Sequence, residues 1–113
     1  MVVVVPRVVL AGPDEHDLES AFEDRGAEVK RIRGVVSADT LRDAGIETAE
    51  LLVITDVEEA TGIAVAKELN PELKAVAYVD RSLPEFLSGI ADLAVDPDLM
   101  EPDVVATELL SRK

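Results

Sequence analysis

A chain of 113 residues, 48% of them hydrophobic, suffices for one folded domain with a single core and is too apolar for disorder. Its 24 acidic and 11 basic residues leave a net charge of −13, which disfavours nucleic-acid backbones and anionic membranes as partners. With no cysteine, disulfides, thiolate metal sites and cysteine nucleophiles are excluded, and His16 alone cannot build a histidine-rich metal centre.

Aromatic residues are only Phe22, Tyr78 and Phe86, so Val, Leu, Ile and Ala must fill the core. Lysine is scarce beside so many acids. That surface is expected of a protein adapted to a high-salt cytoplasm, where salt screens its self-repulsion; an ordinary acidic cytosolic protein is the other reading. The apolar start, residues 1–5, is too short for a membrane span or a signal-peptide core, so a cytoplasmic location is expected.

Residues 7–11 form a continuous apolar run, as in a strand covered on both faces. Pro6 fits its entrance, because proline cannot donate to a ladder. Asp14 is placed to cap the next helix, with Asp17 adding charge where the helix dipole favours it. Leu18, Ala21 and Phe22 follow helical spacing and Gly26 supplies the stop. A second, less buried strand covers 27–33, where polar residues alternate around Val29 and Ile32. Ser37 caps a short helix over 38–44, closed by Gly45. Residues 51–55 make an apolar third strand, with Asp56 at its carboxyl end.

A helix over 58–69, with Ala60, Ile63, Ala64, Val65 and Ala66 inward, stops at Asn70-Pro71. Residues 74–79 form strand four. Ser82 and Pro84 start a helix that buries Phe86, Leu87 and Ile90. A short fifth strand over 93–95 stops at Asp96-Pro97. A last helix over 102–110 turns Val105, Ala106 and Leu109 inward. Alternating strands and helices predict one Rossmann-like, doubly wound parallel sheet of about five strands in a three-layer α/β sandwich.

Several segments resemble the TrkA-N (RCK-N) domain, the Rossmann-type regulatory domain of potassium-uptake systems. These are Phe22-Glu23-Asp24-Arg25-Gly26-Ala27-Glu28-Val29, Asp43-Ala44-Gly45-Ile46 with the third strand through Asp56, the helix ending in Leu69-Asn70-Pro71, and Asp92-Leu93-Ala94-Val95-Asp96-Pro97. The likeness spans nearly the whole chain, without a counterpart of that family's C-terminal ligand domain. It implies a non-enzymatic regulatory or interaction domain, a homodimer, and NAD(H) or an adenine nucleotide as ligand. The family's three glycines fall on Leu10, Gly12 and Glu15, so the motif is degenerate and nucleotide binding weak or altered. The residues expected to carry it are Gly12, Arg33, Thr55 and Asp56.

Two other readings use the acids. Asp14, Glu15, Asp17 and Asp56 are expected at one edge of the sheet, and hard divalent cations take carboxylate oxygens. Asp14, Glu15 and Asp56 are thus metal candidates, for a metal-assisted small-molecule enzyme; helix capping plus an acidic surface is the reading that explains them more simply. The arrangement also resembles phosphoreceiver domains, which have acids after strand one, an aspartate ending strand three, and Ser or Thr after strand four. Asp14, Glu15, Asp56 and Ser82 take those places. Receivers carry a lysine after strand five to pair with the phosphoryl group, and this chain has Asp96. The implied alternative is a receiver-like signalling domain acting through protein contacts.

Overall fold

Among the described residues, the apolar runs become strands and the stretches of helical spacing become covering helices. The computed structural model describes residues 5–56, 61–79 and 91–111. In chain order the elements are β1 (Arg7–Ala11), α1 (Leu18–Glu23), β2 (Glu28–Ile32), α2 (Ala38–Asp43), a 3-10 turn (Ile46–Thr48), β3 (Leu51–Ile54), α3 (Gly62–Leu69), β4 (Lys74–Tyr78), β5 (Leu93–Val95) and α4 (Pro102–Ser111). The helix expected over 82–90, with Ser82, lies outside the described residues, as does the start of the one expected from 58.

The five strands form one parallel sheet in the order β2-β1-β3-β4-β5. β1 lies between two neighbours, with Val9 opposite Lys30 of β2 and Leu52 of β3. Side chains of a strand alternate between faces, so β1 feeds two cores. Val9 and Ala11 join Leu41, Ile46, Ile63 and Ala66 beneath α2 and α3. Val8 and Leu10 join Leu18, Phe22, Val105 and Leu109 beneath α1 and α4. The expected three-layer sandwich is therefore present, and no polar residue among those described is buried. No helix among them is long and apolar enough to cross a membrane.

The caps are mostly as the sequence reads. Ser37 and Thr40 make a reciprocal capping box: Thr40 N–H donates to Ser37 Oγ at 3.2 Å, and Ser37 N–H donates to Thr40 Oγ1 at 2.8 Å. Asn70 does more than end α3. Its side-chain amide donates to the Ile46 and Ala49 carbonyls at 3.0 and 2.8 Å, clamping the 3-10 turn against the helix end. Two expectations fail locally. Ala64 faces solvent, because α3 turns Gly62, Ile63 and Ala66 to the sheet. Helix α1 begins only at Leu18, because Asp17 takes a left-handed conformation with φ 59°.

The entry to β5 is fixed by Asp92. Its carboxylate accepts from Ala75 N–H at 2.7 Å and from Lys67 Nζ at 2.8 Å, while its own N–H donates to the Ala75 carbonyl. Burial pushes this carboxyl upward, but the Lys67 and Ala75 hydrogen bonds and the charges of Lys67 and Lys74 outweigh it, holding it below the usual value. A lowered folded pKa stabilises above the unfolded value of about 3.9, and that contribution is lost as pH falls through the folded pKa. Asp92→Asn is therefore expected to lower Tm at neutral pH, with the gap to wild type closing below about pH 4. Thermal unfolding of both proteins across pH 3–7 checks this; a constant gap contradicts it.

Candidate functional site

In a doubly wound sheet, ligands bind beyond the carboxyl ends of the strands, where the winding reverses. Here the reversal lies between β1 and β3, since β2 is laid down on one side of β1 and β3 on the other. The site therefore comprises the turn from Gly12 to Asp17 and the pair Thr55-Asp56. It is bordered by Val79 after β4 and by Asp96-Pro97 after β5.

The turn after β1 is packed onto β3. Thr55 N–H donates to the Ala11 carbonyl at 3.0 Å, and the Thr55 hydroxyl donates to the Pro13 carbonyl at 2.5 Å. Gly12 has φ 108°, a conformation that side chains avoid. A Cβ on it would overlap Thr55 Oγ1 and approach the Asp56 nitrogen at 3.3 Å. The glycine thus serves close approach of two protein backbones.

Asp14 caps α1 from outside the helix. Its two carboxylate oxygens accept from Leu18 N–H at 2.6 Å and Glu19 N–H at 3.0 Å. Asp14→Ala should destabilise the domain by about 1 kcal/mol and Asp14→Asn by less, measured by urea denaturation; equal losses would argue against capping. Glu15 is exposed. Among the described residues, no three His, Asp or Glu side chains come together to hold a metal ion. Both oxygens of Asp14 turn to α1, which is the capping role that its place in the sequence suggests.

The cation at this turn is not the expected one. Arg33 lies past the last residue of β2 and is exposed. Arg31, paired with Leu10 in the sheet, reaches over instead. Its Nη2 donates to the Gly12 carbonyl at 3.2 Å and its Nη1 meets Glu19 Oε1 at 3.3 Å, while its Nε is buried without a hydrogen-bond partner. Arg31 thus ties β2 to the turn and to α1. The polar alternation of 28–33 marked both arginines; only strand register separates them.

Beside the turn, His16 meets the Tyr78 ring edge-on, centroids 5.7 Å apart, and the Tyr78 hydroxyl donates to the Met100 carbonyl at 2.8 Å. Burial, then the negative charges of Glu101, Asp96 and Asp98, push the Tyr78 phenol above its usual value and keep it a donor. The cleft between these groups, lined by Pro13, Asp14, Glu15, Thr55 and Pro97 among others, holds about 50 Å³. Small-molecule pockets are about 300–1,000 Å³. Gly12, Thr55 and Asp56 are together at the edge, and Arg33 directly follows Ile32, whose carbonyl accepts from Gly12 N–H at 3.3 Å.

These features define a doubly wound α/β domain of the flavodoxin-type strand order, with a turn at its switch point closed by contacts within the chain. The chain belongs to DUF7126, a family of unknown function whose model matches residues 8–109. No curated protein matches it. Similar solved structures include a response regulator from Thermotoga maritima, at 15% identity and TM-score 0.71, covering 96% of this chain and 97% of that one. A CheY-like receiver domain protein from Methanospirillum hungatei JF-1 is 18% identical with TM-score 0.69, covering 96% and 93%. A protein of Burkholderia thailandensis E264 described as a pilus assembly protein (cpaE) is 19% identical with TM-score 0.67, covering 95% and 97%.

The TrkA-N resemblance, and the weak nucleotide binding drawn from it, are thereby corrected. A dinucleotide-binding Rossmann sheet runs 3-2-1-4-5-6, with strand three outside strand two. Here β3 pairs with β1, and the matching structures include response-regulator receivers.

Proposed function

We propose that the chain is a receiver-like signalling domain that acts through protein contacts without phosphoryl transfer to Asp56. One observation carries this reading: on a sheet of receiver order, Asp56 stands just beyond β3 while Asp96, a carboxylate, stands just beyond β5. A phosphoryl group on Asp56 would add charge opposite a position that receivers fill with lysine. Charge-assisted pairing would be replaced there by like-charge repulsion. The turn after β1 points the same way, since Asp14 is spent on capping α1 and Gly12 stands directly after the strand. The homodimer was an implication of TrkA-N likeness and loses that basis.

The test is NMR of the full chain with Mg²⁺ and beryllofluoride, an acyl-phosphate mimic. The amide resonances of Thr55, Asp56 and Asp96 are expected to stay in place. Saturable shifts at Asp56 would overturn the phosphorylation-independent reading.

A further inference from the structure

Beside β5 the surface changes character. Leu99 is 81% exposed, Val104 46% and Leu93 36%, a cluster of large apolar side chains open to solvent. With Val95, Met100 and Leu109 they line a groove of about 360 Å³ between β5, the turn after it and α4. Contiguous exposed apolar surface rimmed by polar groups marks interaction sites more often than chance. Among the described residues, the charged side chains that line it are acidic. Asp96 and Glu108 line the groove, Asp98 and Glu101 lie in the adjoining stretch, and residues 91–111 contain no lysine or arginine. Along α4, Val104 and Glu108 are four residues apart and share one outward stripe.

We propose that this groove docks an amphipathic helix of a partner protein, one carrying a row of apolar side chains flanked by lysine or arginine. This deepens the proposed signalling role and rests on it. The charge decides the occupant. A second copy would bring one acidic rim against another, each on a chain of net charge −13. An added strand fits poorly, because β5 has three residues and is followed by Asp96-Pro97, which blunts the edge. A basic helix laid alongside the ten-residue α4, about 15 Å long, satisfies both the apolar floor and the rim.

The experiment uses the full chain and two synthetic 18-residue peptides of identical leucine–lysine composition. One has its leucines on a single helical face, and the other has them spread around the helix. The amphipathic peptide is expected to shift amides within 93–109 and to bind at least about tenfold tighter than its scrambled counterpart. Leu99→Asp with Val104→Asp should weaken it by at least about tenfold without changing the circular dichroism; Glu108→Lys, which leaves the apolar floor intact, should weaken it severalfold. Equal binding of both peptides, shifts centred elsewhere, or a dimer that Leu99→Asp dissociates would each overturn the proposal. Peptide binding with beryllofluoride shifts at Asp56 would overturn the phosphorylation-independent reading alone. Unperturbed Asp56 with no peptide binding would overturn the docking surface alone.

Discussion

Phe22→Ala is expected to destabilise the domain by about 3–5 kcal/mol, the largest loss of any single truncation named here. Phe22 is fully buried on α1, among Val8, Leu10, Leu18, Tyr78 and Val105, where the helix meets both the sheet and α4. Aromatic residues are too few for a neighbour to refill the space, so the cavity should persist. Small domains have only about 5–15 kcal/mol of stability, so the variant should lose a large share of it. Phe22→Leu, which keeps most of the volume, should cost less than about 1.5 kcal/mol. Urea denaturation of the three proteins checks the ranking. Similar losses for alanine and leucine would mean that the site collapses or that ring shape, not volume, matters.

Gly12→Ala should cost about 2–4 kcal/mol, by two separable routes. The first is backbone strain, because φ is 108° and a Cβ disfavours that region. The second is overlap with Thr55 Oγ1, whose hydroxyl is held by the Pro13 carbonyl and cannot simply rotate away. A double-mutant cycle separates the two. In a Thr55→Ala background the overlapping atom is gone, and the cost of Gly12→Ala should fall by about 1 kcal/mol while the strain remains. Strict additivity of the two substitutions would contradict the close packing of the β1 turn on β3.

The strands were legible because each is a short β-branched run bounded by turn residues, and 7–11, 51–55 and 74–79 fall almost where the sheet places them. The strand order was not. A right-handed crossover of similar length can set the third strand beside the second or beside the first, and the residues of 51–55 are apolar either way. The segments that resemble TrkA-N, such as the end of α1 leading through Gly26 into β2, are local units that any doubly wound sheet can share. They say nothing about which edge receives β3.

At the switch point, Asp14 was readable as a cap from its spacing to the apolar run. Gly12 is legible as special, but its packing against β3 is not. Glycine before a helix suggests a phosphate cradle, and only the partner strand reveals that Thr55 occupies that space. Arg31 and Arg33 could not be told apart without the β1–β2 register, which brings Arg31 over the turn and leaves Arg33 beyond the strand. The apolar groove was invisible for a related reason. Leu93, Leu99 and Val104 are unremarkable in a sequence, and become a surface only when β5 lies at the sheet edge.

The proposed signalling role requires that Asp56, just beyond β3, take no phosphoryl group. Incubation of the full chain with acetyl phosphate and Mg²⁺, followed by intact-mass measurement and peptide mapping, tests it most directly. The expected result is an unchanged mass. A gain of one phosphoryl group, mapped to Asp56 and absent in Asp56→Asn, would contradict it.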